Sequence, residues 1–212
     1  MRKNKTNPRL TSPSAASGGV ADQQLRIIGG RFRGSKLRYH GDPSVRPMKH
    51  RVREAIFNLI STDCNGCHAI DLFAGTGALG LEAISRGAER ATLIEQHVPT
   101  ARIITRNIAH LELEEQCTLL VTSAFLWGKR DLPKLEAELP RVVFCSPPYA
   151  FFVERQAELL ELIRQTIQYA PAESLIVVEA DQRFDFALLP GDWNVRSYLP
   201  AVVGVCRPAT SG

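Results

Sequence analysis

Along residues 69–206 short apolar runs alternate with stretches in which apolar positions recur every three or four residues. The runs 69–73, 91–95, 117–121, 142–145 and 174–179 read as strands, and 79–86, about 99–110 and 151 to about 169 as helices. Residues 193–198 and 201–206 flank Pro200 and are expected to close the fold as an antiparallel pair. Strands alternating with helices predict an α/β fold with a mostly parallel, doubly wound sheet, which binds ligands at the carboxyl ends of its strands. Upstream, Pro47 suits a helix start, and Val52, Ile56, Leu59 and Ile60 then fall on one face. Residues 25–28 and 36–39 are expected as short strands of a small hairpin, around the turn-prone pairs Gly29, Gly30 and Gly34, Ser35. Residues 1–24 are rich in Ser, Pro, Asn, Gly and basic residues, lack any hydrophobic period, and are expected to form a disordered arm.

Charge sharpens this division. The chain has 212 residues and a net charge of only +4. Residues 1–53, however, hold 13 Lys and Arg against two acids, Asp22 and Asp42, so this quarter carries +11 and the remainder −7. Neutralising phosphates releases counterions, so a polyanionic partner is expected for the basic quarter. A solubilising tail is the plainer alternative. No apolar run approaches the roughly 20 residues of a bilayer span, and the basic N-terminus lacks a secretory apolar stretch, so a cytoplasmic protein is expected. Five scattered cysteines fit a reducing compartment. Cys64, Cys67 and His68 match a haem-attachment pattern, but they sit just before the first core strand and lack an evident fourth metal ligand, so no metal is expected.

Two motifs carry chemistry. The first runs from Asp71 to Gly80, where Gly75, Gly77 and Gly80 follow a strand and open a helix. Glycines let the backbone approach a ligand closely. That pattern alone also fits a nicotinamide site. Glu95, ending the next strand, suits either reading, since its carboxylate can accept from both hydroxyls of a ribose. Asp71 separates them. An acid beside the loop would repel a pyrophosphate, whereas S-adenosylmethionine is cationic and carries no phosphate. Phe73, Ala74 and Thr76 of the loop, with Gln96 beside Glu95, complete the expected cofactor-binding set. Ser123 and Ala124 stand where such folds place a polar residue against the adenine amine, and Ser123 reads equally well as an ordinary loop serine.

The second motif is Ser146, Pro147, Pro148 and Tyr149, into which the strand 142–145 runs directly. Each proline fixes φ and removes a donor, leaving a rigid loop with free acceptors. An NH2 group has two hydrogens and needs two acceptors. Ser146 Oγ and the Pro147 carbonyl can hold such an amine and favour its pyramidalisation, while Tyr149 stacks on the base that bears it. Transfer of a methyl group is then a single in-line displacement driven by positioning.

The combination resembles the amino-methyltransferases whose signature is Asp, Asn or Ser before Pro-Pro and an aromatic. With Arg26, Gly29, Gly30, Arg31, Phe32, Arg33 and Gly34, then Arg46, Pro47, Arg51, Arg53, Glu54 and Phe57, it also resembles the RsmD family over roughly residues 25–180. These are bacterial 16S ribosomal RNA guanine-N2 methyltransferases. The resemblance implies a Rossmann-like sheet of seven strands, mostly parallel with one antiparallel, and a small N-terminal β-hairpin extension that engages RNA. The expected division is a basic arm at 1–24, the hairpin region at 25–48 and a methyltransferase domain at 49–212. Arg31, Arg33, Lys36 and Arg38 would hold phosphates, and Arg46, Arg51 and Arg53 would line the approach to the cofactor. Ribosomal RNA or the small ribosomal subunit is the implied partner, and a monomer is expected. The family usually has Asp where this chain has Ser146, and a Pro-Thr-x-Asp-Arg pattern where Pro47, Met48, Lys49, His50 and Arg51 stand. A methyltransferase acting on adenine N6 in DNA or RNA, and an RNA-binding assembly factor that keeps the fold without activity, are the competing readings.

Overall fold

Two layers of helices enclose one twisted sheet in the computed structural model, which describes residues 25–39 and 50–209. The basic arm, Arg46 and the departures at Met48 and Lys49 lie outside these residues. After α1 (His50–Ile60) the chain runs β1 (His68–Asp71), α2 (Ala78–Ser85), β2 (Arg90–Ile94), α3 (Val98–His110), β3 (Cys117–Leu120), α4 (Ala124–Arg130) and β4 (Arg141–Cys145). Then follow α5 (Phe151–Glu154), α6 (Gln156–Gln168), β5 (Leu175–Asp181), β6 (Trp193–Tyr198) and β7 (Ala201–Cys206).

The strand order is β3-β2-β1-β4-β5-β7-β6. Neighbours among β1–β5 pair in parallel, whereas β7 is antiparallel to both β5 and β6. This is the Rossmann-like arrangement of seven strands with one reversed. Side chains alternate between two cores, as a period of two requires. Ala69, Leu93, Val142, Phe144 and Val177 meet Ile56, Ile60, Leu81, Ile84 and Ile104 on one face. Ile70, Ile94, Val143, Ile176 and Val178 meet Phe125, Trp127, Leu159 and Ile163 on the other. All five residues of β4 are buried, and the four that follow Arg141 form an unbroken apolar run. The edge strand β6 is largely exposed.

Two expectations need correction, and one element is new. The hairpin strands reduce to one antiparallel bridge, Arg26 with Lys36, because Gly30 and Gly34 at positive φ draw residues 31–34 into a turn. The single helix expected over 151–169 is interrupted at Arg155 (φ −131°), whose guanidinium pairs with Glu158 and lies 4.0 Å from the Phe125 ring centroid, while its backbone N–H still bonds the Phe151 carbonyl. The short α4, placed right after Ser123, has no counterpart among the expected elements; its apolar residues Phe125 and Trp127 anchor it.

The hairpin is tied firmly to the sheet's helices. Ile27 and Leu37 are buried in the same core as Ile56 and Leu81. Glu82 accepts from the backbone N–H groups of Ile28 and Gly29, both at 2.7 Å, and Ser85 Oγ accepts from Phe32 N at 3.0 Å. Asn107 Oδ1 accepts from Arg38 N at 2.7 Å, while its amide donates to the carbonyls of Arg38 and Thr76. No helix of the described residues is long and apolar enough to cross a membrane.

Candidate active site

The strand order reverses between β1 and β4, and the crevice outside their carboxyl ends is where this topology leaves room for a ligand. A cavity of about 590 Å³ occupies it. Asp71, Phe73, Ala74, Gly75, Thr76, Glu95, Gln96, Ser123, Ala124, Ser146, Pro147, Pro148 and Tyr149 all line it, so both motifs open onto one space. Gly77 stands just behind the lining. Its φ of +81° makes the turn into α2, and a Cβ there would come within 3.2 Å of Leu93 and 3.3 Å of Leu81.

At the β1 end, Asp71 is 1% exposed. Its Oδ2 accepts from Gly80 N at 3.2 Å, while Oδ1 has no hydrogen-bond partner within the chain. Burial pushes its carboxyl up to about 7; the Gly80 amide opposes this and the nearby Glu95 charge adds to it. Glu95 is fixed by two backbone donors, Gly75 N at 3.0 Å and His97 N at 2.8 Å. Its carboxylate thereby tethers the glycine loop to the start of α3. Farther along, Phe73, Phe125 and Phe151 form an aromatic wall with centroids 5.8–6.1 Å apart.

At the β4 end, Ser146 and Tyr149 share one partner that sequence reasoning missed. Glu179 of β5 is 8% exposed and lines the cavity. Its Oε2 accepts from Ser146 Oγ, and its Oε1 accepts from Tyr149 OH at 3.0 Å. Strand register explains the meeting, because Cys145 pairs with Val178 and the next residue on each strand is Ser146 and Glu179. The available signal was an acid inside the strongly apolar run 174–179.

The expected basic residues divide. Arg31, Arg33, Lys36 and Arg38 are exposed on the hairpin, where residues 25–39 hold five cations and no acid. Arg31 also bonds Gln116 and lies against Phe32. Arg51 is exposed on α1. Arg53 is not available to a ligand. It is wholly buried, donates to the Arg26 carbonyl and lies 4.0 Å from Glu82. Helical spacing explains the correction: Val52, Arg53 and Ile56 share the inward face.

The family model described as Conserved hypothetical protein 95 matches residues 25–197. The Ribosomal RNA small subunit methyltransferase D of Escherichia coli (strain K12) is 33% identical over 173 residues, 81% of this chain and 82% of that one. Its namesake in Haemophilus influenzae is 32% identical over 179 residues, 82% and 88% of the two chains. Among solved structures, yhhF from Escherichia coli is 30% identical, with a TM-score of 0.68 over 88% of this chain and 99% of that one. An RNA methyltransferase from Salinibacter ruber, solved with S-adenosyl-L-homocysteine, is 16% identical with a TM-score of 0.57 and covers 79% and 96%; it shares the fold. A family match that long, with relatives above 30% identity across four fifths of the chain, places this protein in the RsmD family.

Proposed function

We propose that this chain transfers a methyl group from S-adenosylmethionine to the exocyclic N2 of a guanine in 16S ribosomal RNA. The observation that carries the reading is the opening of both motifs, the acidic glycine loop and the Ser146–Tyr149 clamp, onto one cavity. The residues present suit the cofactor. Asp71 Oδ1 is a buried acceptor still lacking a donor, and an ammonium group supplies one. Glu95 keeps free lone pairs for hydroxyls beside its two backbone donors. When bound, the cofactor would supply a methyl group on a cationic sulfur, so the acceptor nitrogen needs an available lone pair to form the N–C bond as the C–S bond breaks, and it then sheds one N–H proton to solvent.

The chain's part is to expose that lone pair. A base amine is delocalised into its ring and is a poor nucleophile. Acceptors at Ser146 Oγ and the Pro147 carbonyl would hold its two hydrogens out of the ring plane, and the Tyr149 ring would carry the base. Buried Pro147 and the rigid Pro-Pro turn keep these groups from relaxing around the substrate. Ribosomal RNA as the substrate draws support from the named relatives and from the exposed cations of the hairpin.

Tritium transfer from labelled S-adenosylmethionine into unmodified small ribosomal subunits, with the product nucleoside identified, is the direct test. N2-methylguanosine is expected. Methylated adenosine would move the target to adenine N6, and cofactor binding without any incorporation would leave the inactive assembly factor. The hairpin has its own test. Arg33→Ala is expected to weaken RNA binding uniformly across sequences and to lower the salt slope by about 1. An unaltered slope in a salt titration would remove the hairpin from the RNA interface.

A further inference from the structure

Ser146 raises a chemical difficulty that a carboxylate would not. An ionised acid only accepts hydrogen bonds, whereas a hydroxyl both donates and accepts. Beside an amine, a serine that donates its proton to the nitrogen ties up the very lone pair that must attack. One that accepts an N–H leaves the lone pair free. The side chain alone does not choose between these states.

Glu179 makes the choice. Its Oε2 accepts the hydrogen bond that Ser146 Oγ donates, so the hydroxyl hydrogen is engaged and Oγ is left to the amine as an acceptor only. The bond is charge-assisted, roughly twice as strong as a neutral one, and it draws electron density onto Oγ. The other oxygen, Oε1, accepts a hydrogen bond from Tyr149 OH at 3.0 Å and anchors the tip of that ring. One carboxylate thus orients the residues at both ends of the Pro-Pro turn. It sits on a central strand between β4 and β7, where the backbone is held on both sides.

We propose that Glu179 is a positioning residue of the methyl-transfer centre, which holds Ser146 as a pure acceptor for the amine and so supplies, from the neighbouring strand, the negative charge that an acid at position 146 would carry itself. The inference rests on the reading of Ser146–Tyr149 as an amine clamp.

The test is single-turnover and steady-state methyl transfer by Glu179→Gln, with cofactor affinity measured by calorimetric titration. A carboxamide nearly matches the carboxylate in shape but brings no charge and presents a donor to one of the two hydroxyls. Glu179→Gln is expected to lower kcat about 10–100-fold, the range of a hydrogen bond to a charged group, while KM for RNA and cofactor affinity stay within about twofold. Introducing Ser146→Asp into that variant restores an acceptor-only group and gives the carboxamide a partner, so kcat is expected to recover about tenfold. A purely structural role offers no route to that recovery. A kcat within twofold of the parent, no recovery in the double variant, or cofactor affinity falling in step with kcat would each overturn the assignment. An active parent with an equally active Glu179→Gln removes this assignment alone. A parent that transfers no methyl to small-subunit RNA removes the proposed function as well.

Discussion

Asp71→Asn is expected to produce a protein more stable than the parent at pH 8, by about 2–4 kcal/mol, and a poorer binder of S-adenosylmethionine. The carboxyl of Asp71 is buried and pushed up to about 7, well above its value of 3.8 in an unfolded chain. The fold therefore favours the protonated acid. Its contribution to stability is complete below about pH 4 and is lost as pH rises through 7. Asparagine keeps an oxygen for Gly80 N and has no charge to lose. The gap between the two proteins should accordingly be small near pH 4, widen through pH 5 and 6, and level off above 7. Urea denaturation at each pH measures it. His68, which burial pushes down to about 4, titrates in both proteins and cancels from the difference. Equal stabilities at pH 8 would show that the Asp71 charge is not costly. In the parent, a bound cation relieves the same cost, so cofactor affinity should rise with pH through 7 and this rise should vanish in the variant.

Glu82→Ala is expected to cost about 3–5 kcal/mol, the usual penalty for removing one partner of a buried ion pair. Glu82 is wholly buried on α2. It accepts from Ile28 N, Gly29 N and Arg86 Nε, the last at 2.9 Å, and its Oε2 lies 4.0 Å from Arg53. Without it two backbone donors are orphaned, and Arg53, with Nε and Nη1 already lacking hydrogen-bond partners, becomes an uncompensated charge. Burial lowers the Arg53 pKa, Glu82 raises it and Arg86 lowers it, so the variant loses the favourable influence and keeps the other two. Arg86→Ala is the smaller perturbation, because the Arg86 side chain keeps some access to water. Denaturation curves, together with protease cleavage within residues 25–39, check both parts. A loss under about 1 kcal/mol would mean that the buried cluster adds little to the hold on the hairpin.

The doubly wound sheet was legible because its central strands are short apolar runs and three of the connections between them carry a helical period. Asp71, the glycines and Ser146–Tyr149 were legible for a different reason: they interrupt those patterns at strand ends, where packing does not require them. What escaped depends on neighbours distant in sequence. Glu179 lies 33 residues from Ser146, and only the β4–β5 register brings them together. Arg53 counts as a cation in any composition, and the partner that balances its charge on the inner face of α1 is Glu82, a helix away. The break at Arg155 spans one residue, too short to disturb a helical period seen over 13 residues of α6. The hairpin's glycines were read as turn residues, whereas its pairing stops after one bridge because Gly30 and Gly34 turn the chain and the N–H groups of Ile28, Gly29, Arg31 and Phe32 are directed to Glu82 and Ser85.

Those same contacts determine how the basic surface behaves before anything touches it. A cationic arm that hangs from a flexible linker surrenders its freedom on binding, and every ordered residue subtracts about 1–2 kcal/mol of backbone entropy from the contact it makes. Residues 25–39 have already surrendered theirs during folding, through Ile27 and Leu37 in the core and the side chains of Glu82, Ser85 and Asn107. Asn107 extends the arrangement inward, since the amide that grips Arg38 also grips the carbonyl of Thr76 in the glycine loop. The charged face and the cavity therefore stand at a fixed separation, and on the proposed function a polyanion laid across the first would be measured against the second as against a ruler.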